Sequence, residues 1–128
     1  MSAPRNGSNG GESPAEYAVI VSDLADAEAR TAYQWLSENV SQEYAGRWLE
    51  GLTRAIEGLA IMPRRHTIAR ENDLYDVEVR RLLYYGPSRR RGSVYRVLFH
   101  IIEPTEEDVE GVVRVLHIWH GASGPPSP

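Results

Sequence analysis

The sequence predicts an α+β domain in the order β-α-α-β-β-β, with a helix hairpin packed on an antiparallel sheet. Three observations lead there. A short β-branched run comes first, Tyr17-Ala18-Val19-Ile20-Val21. Two segments follow in which apolar residues recur every three to four positions, the helical spacing. The last third then holds three strand-like runs divided by turn and breaker residues.

The first run is too short and too rich in Val and Ile to be a helix, so it reads as a strand. Ser22 or Asp23 then offers a helix N-cap, and Asp23 and Asp26 suit the positive end of the helix dipole. Leu24, Glu28, Ala32, Trp35 or Leu36, and Val40 keep helical spacing, which sets a first helix over about 24–39. Ser41 starts a second helix, with Tyr44, Trp48, Leu52, Ile56 and Leu59 on one face and Pro63 ending it near Ile61. Gly51 and Gly58 weaken it slightly. Trp35, Tyr44 and Trp48 are expected in the core or between the helices. Residues 64–74 are a polar, basic connection.

The strand runs cover 75–85, 94–102 and 112–121. The first join, Gly86-Pro87-Ser88-Arg89-Arg90-Arg91-Gly92, is framed by glycines, and the second, 103–111, is acidic. The last three strands should form an antiparallel meander, joined in the same sheet by the N-terminal strand. In the strand 94–102, Tyr95, Val97, Phe99 and Ile101 form the better helix-facing side. Arg96 and His100 are then expected on the open face.

Length and composition narrow the function. A chain of 128 residues suits one domain. Residues 1–14 and 123–128 are rich in Gly, Ser, Asn and Pro and read as disordered tails around a domain over 15–122. With no cysteine, thiol nucleophiles, disulfides and Cys-type zinc sites are excluded. No helical His-x-x-x-His pair suggests a metal, no Gly-rich phosphate loop suggests a nucleotide, and no cofactor or small-molecule substrate is expected. No apolar stretch resembles a signal peptide or membrane span, so a soluble, cytoplasmic protein without a membrane partner is expected.

The net charge of −4 conceals segregation. Residues 12–61 carry nine acids and three arginines; residues 62–100 carry nine arginines and four acids. The last 28 residues are acidic again. All fourteen basic side chains are arginine, a planar, permanently charged donor suited to carboxylate or phosphate. One positive face on an otherwise acidic protein is expected.

Val79-Arg80-Arg81-Leu82, Tyr95-Arg96-Val97-Leu98-Phe99 and Ile118-Trp119-His120-Gly121 follow a strand and a helix hairpin closed by Pro63. Together, over residues 17–122, these features resemble the RelE/ParE superfamily of toxins from type II toxin–antitoxin pairs, nearer its ParE-like, plasmid-stabilisation branch. The resemblance implies a toxin that inhibits growth and is neutralised by a cognate antitoxin protein. ParE-type members inhibit DNA gyrase without hydrolytic chemistry, and RelE-type members cut messenger RNA on the ribosome. Gyrase is the favoured target. A ribosome-dependent endoribonuclease is the alternative, and a non-toxic descendant that keeps only the binding surface is a third reading.

A nuclease would need cations for the extra phosphate charge and groups to move protons. By resemblance Arg96 and His120 are the catalytic candidates, with Arg80 as an added cation. Arg96 fits slightly better as the salt-bridge partner of Glu78 on the next strand, and His120 is equally suited to capping carbonyls at a strand end. His117 and His100 read as ordinary sheet residues and His66 as a connector. Arg81, Tyr84 and the loop Arg89, Arg90 and Arg91 are candidates for binding the target or an acidic antitoxin segment. Asp76 and Glu78 stand where the RelE ribonuclease carries basic residues, and Ser123 where many relatives carry Arg. Both departures point away from RNA cleavage.

Overall fold

The computed structural model describes residues 16–87, 94–107 and 109–121. The expected tails and Arg89, Arg90 and Arg91 lie outside these residues. The order is β1 (Ala18–Val21), α1 (Asp23–Asn39), α2 (Gln42–Glu57), β2 (Arg80–Tyr84), β3 (Tyr95–Ile102) and β4 (Val112–His120). Short 3-10 turns occupy Gly58–Ala60, Pro63–Arg65 and Arg70–Leu74.

Each helix starts at a serine. The Ser22 hydroxyl accepts the Ala25 N–H at 3.0 Å, and the Ser41 hydroxyl accepts the Tyr44 N–H at 3.0 Å. Each cap satisfies one of the N–H groups that a helix start leaves without a partner. The helix hairpin covers one face of a four-stranded sheet ordered β1-β4-β3-β2. β2, β3 and β4 form the expected antiparallel meander. β1 joins the sheet parallel to β4, with Ile20 opposite Arg114, so the sheet is mixed. The long path through both helices and two strands lets β1 and β4 run the same way, which a short hairpin would forbid.

The main core lies between helices and sheet. Ala25, Ala29 and Leu36 of α1 and Ala45, Trp48, Leu52 and Ile56 of α2 meet Val97, Phe99, Ile101, Val113, Val115 and Ile118. The helix-facing side of β3 is thus as the alternation predicts. Trp35 departs from expectation: it is 56% exposed, and its neighbour Leu36 takes the core position.

The opposite face of the sheet is not open. Residues 75–79 do not form the first part of a strand; with the turn Arg70–Leu74 they make a strap across that face. Ala69 and Val79 bury themselves against Leu98 and Trp119, forming a second, smaller core. The Asn72 side-chain oxygen accepts the Val79 N–H at 2.8 Å, which closes the strap on itself. Residues 67–69 return along β2: Ala69 N–H bonds to Val79 O at 2.8 Å and Arg81 N–H to Thr67 O at 2.9 Å. This pairing covers the start of what would be an open sheet edge.

Candidate functional site

Arg96 sits on the strap side of β3, opposite Leu83 and Trp119. It is 5% exposed and its partner is Glu71, 4% exposed, from the strap. Both terminal guanidinium nitrogens donate to the Glu71 carboxylate, one of them at 2.7 Å. These bonds hold the Glu71 carboxyl below its usual range against the opposing effect of burial. The expected partner Glu78 is not used. It points away from the smaller core, on the opposite side of the segment from its neighbour Val79, and bonds Arg80 and Arg64 instead. His100, also expected on an open face, is half-buried with Nδ1 3.2 Å from Glu78 O.

His120 faces the other way. It pairs with Tyr95 across β4 and β3, and the two rings meet edge to face at 5.2 Å. Tyr95 continues the contact to the Trp48 ring at 5.1 Å. Arg96 and His120 therefore stand on opposite faces of one sheet. Gly121 of the His-Gly motif has a packing reason: a Cβ there would fall 2.5 Å from Val94 Cγ1.

Arg80 shares the helix-side face with His120 but lies at the other end of β2, opposite Phe99. Four residue steps along the strand separate it from Tyr84, about 13 Å. Its guanidinium bonds Glu78 at 3.1 Å and the carbonyls of Arg64 and His66 at 3.1 and 2.6 Å. Nearby, Arg64 Nε donates to Glu103 at 2.6 Å and the Tyr17 hydroxyl to the same carboxylate at 2.8 Å. Tyr17 first, then Arg64, draws the Glu103 carboxyl below its usual range.

Tyr84 is half-buried, and its hydroxyl donates to Trp48 O at 2.7 Å. Gly51 permits this, since a Cβ there would fall on the Tyr84 hydroxyl. Burial raises the Tyr84 phenol, so it stays protonated as the donor. Arg81 is half-buried on the strap side and makes no ion pair among the described residues.

Two features escaped the sequence reading. The first is Glu28, which reaches from α1 to β4 beyond the end of β1. Its carboxylate accepts Ile118 N–H at 3.0 Å and the Trp119 indole N–H at 2.7 Å, and lies 3.2 Å from His117 Nδ1. It replaces the neighbour that β4 loses where β1 stops. Glu28 did fall on the apolar stripe of α1, and an acid on such a stripe was the available signal. The second is an apolar cleft of about 300 Å³ between α1, α2 and the sheet, lined by Val19, Val21, Leu49, Leu52, Ile56 and Ile118 and rimmed by Asp26 and Glu57.

Among the described residues no His, Asp or Glu cluster could hold a metal ion, and no helix is long and apolar enough to cross a membrane. Residues 19–123 match the family described as "ParE toxin of type II toxin-antitoxin system, parDE". The chain belongs to this ParE toxin family. It is thus a toxin component of the type II class. The fold is also similar to a solved chain titled "Chromosomal ParDE TA system from P. aeruginosa", with a TM-score of 0.56 and 14% identity, over 82% of this chain and 96% of that one. At that identity the likeness concerns the fold alone. No curated protein matches the sequence.

Proposed function

We propose that this ParE-family chain arrests growth by binding a macromolecular target, DNA gyrase, without nucleolytic chemistry of its own, and that a cognate antitoxin protein neutralises it in the cytoplasm. The state of Arg96 supports this most directly. A catalytic cation must reach the phosphate whose charge it stabilises. Arg96 is buried, and both ends of its fork are taken by Glu71. His120, the proton-transfer candidate, faces the opposite side of the sheet. Arg80 is occupied by Glu78 and two backbone carbonyls. The three residues a nuclease would combine do not converge. ParE membership supports the gyrase and antitoxin assignments by resemblance.

The test is induced expression in a bacterial host, followed soon after by RNA 5′-end mapping and plasmid supercoiling. Altered supercoiling with intact transcripts is expected. New transcript ends in codon register would overturn the reading for a ribosome-dependent nuclease. Undisturbed growth with neither change would make the chain a non-toxic descendant.

A further inference from the structure

His66 stands at the joint between the helix hairpin and the strap. It closes the short turn Pro63–Arg65, with its N–H 3.3 Å from Pro63 O. From there the chain runs beside the start of β2. Arg81 N–H donates to Thr67 O at 2.9 Å, and Ile68 forms a bridge with Arg80. A side-chain clamp completes the attachment: the Arg80 guanidinium donates to His66 O at 2.6 Å.

The imidazole packs on the main core. It meets the Phe99 ring edge to face at 5.8 Å, and Phe99 is fully buried. Two cations act on the half-buried ring, Arg65 from its own turn and Arg80 from β2. The acids in this region are engaged elsewhere. Glu78 bonds Arg80 and Arg64 at 3.1 and 3.5 Å, and Glu103 bonds Arg64 and Tyr17. Among the described residues no carboxylate pairs with the His66 ring. His117 differs, since its Nδ1 lies 3.2 Å from the Glu28 carboxylate.

The setting disfavours a proton on His66. Burial first, then Arg65 and Arg80, holds the imidazole below its ordinary value of 6.5. A released connector puts the ring in water, where it takes its proton at the ordinary value. Above 6.5 both forms are neutral and the attachment has its full strength. Below 6.5 the released form binds the extra proton, so acid favours release. The Glu71 and Glu103 carboxyls are held below 4.5 and stay charged while this happens. The strap therefore stays fastened to Arg96 as the connector lifts.

We propose that His66 makes residues 66–68 an acid-released clamp, in which proton uptake on the imidazole frees this segment from β2 and uncovers the start of that sheet edge while the rest of the sheet stays folded. The opening is local, the kind of sub-global event that amide exchange detects. It is independent of the target and of the antitoxin.

Amide hydrogen exchange by NMR on the full chain tests it, with rates corrected for the intrinsic effect of pH. The reporter is the Arg81 N–H, whose acceptor is Thr67 O, and the reference is Val97 N–H at the centre of the sheet. Arg81 should be less protected than Val97. Its protection should fall up to about 10-fold between about pH 7.5 and about pH 5.5, the limit for one proton taken up on opening. His66→Phe keeps a ring against Phe99, cannot titrate, and should abolish the fall. Arg65→Glu, at an exposed position, sets a carboxylate near the ring and should cut the fall to about 3-fold or less. The ring-proton titration of His66 in the parent needs no variant and should have its midpoint below 6.5. A midpoint at or above 6.5 would overturn the proposal. So would Arg81 protection equal to that of Val97, protection constant over this range, or an equal fall in His66→Phe.

Discussion

Breaking the Arg96–Glu71 pair separates a structural arginine from a catalytic one. Both side chains are nearly excluded from solvent, at 6% and 3% side-chain exposure. Removing one partner strands a charge where water cannot reach it, and such losses run to about 3–5 kcal/mol. A domain of this size has only ~5–15 kcal/mol in total. Glu71→Ala or Arg96→Met alone should therefore lower Tm on the order of 15–25 °C. Replacing both, Arg96→Met with Glu71→Leu, removes charge, attraction and desolvation together. That variant should fall within about 1 kcal/mol of the parent or exceed it. Urea unfolding followed by tryptophan fluorescence measures all four corners of the cycle, with Trp119 opposite Arg96 as a reporter.

The same variants carry a functional readout. If Arg96 only fastens the strap, the stable double variant should arrest growth as the parent does. A folded double variant that no longer arrests growth would refute the structural role. So would single variants that lose less than about 1 kcal/mol, the behaviour of an exposed pair. The pH dependence has a definite sign. The Glu71 carboxyl lies below its ordinary value of 4.5 in the folded state. Its contribution to stability is therefore complete above that value and is lost as pH falls through the lower folded value. The parent should show an acid loss of stability in that window, smaller in the double variant.

Three further perturbations probe other joints. Glu28→Ala leaves the Ile118 and Trp119 N–H groups without their acceptor and should cost about 2–3 kcal/mol in urea unfolding, and Glu28→Gln should recover only part of it, because its single amide oxygen can accept from one of the two donors. Gly51→Ala should cost about 1–2 kcal/mol despite alanine's better helix propensity, because it displaces the Tyr84 hydroxyl from Trp48 O, and the double variant with Tyr84→Phe should lose less than the sum of the two. Met62 holds the left-handed backbone at φ 49° and ψ 55°. Met62→Gly should raise the free energy of unfolding by up to about 1 kcal/mol, and Met62→Ile should lower it, since a β-branched side chain fits that region worst.

What could be read from the sequence divides along a physical line. The helices, the meander and the helix-facing side of β3 depend on local periodicity, and Ser22 and Ser41 mark the helix starts within one residue. The parallel β1–β4 pairing depends on chain path, which no local pattern records. The strap misled for a related reason. Tyr75, Val77 and Val79 alternate like a strand, yet only Val79 is fully buried, and the run becomes sheet at Arg80. Once a segment crosses the sheet's second face, every assignment of that face as solvent fails with it, Arg96 included. Glu71 lies 25 residues from Arg96 in a segment without periodicity, so its carboxylate could not be chosen over Glu78 from spacing. The acidic cleft was half visible, since the charge excess over 12–61 was plain. Its link to an open strand edge needed the register: only with β1 placed outside β4 do Val19 and Val21 gain free backbone groups beside an apolar slot. The arginine-rich half drew attention as the binding half because its charge stands out in the sequence. Three of its arginines, 64, 80 and 96, are held within the fold by Glu71, Glu78 and Glu103. The acidic half, whose charges are less clustered along the chain, carries the apolar cleft and the exposed side chains of Val21 and Leu49 in one place.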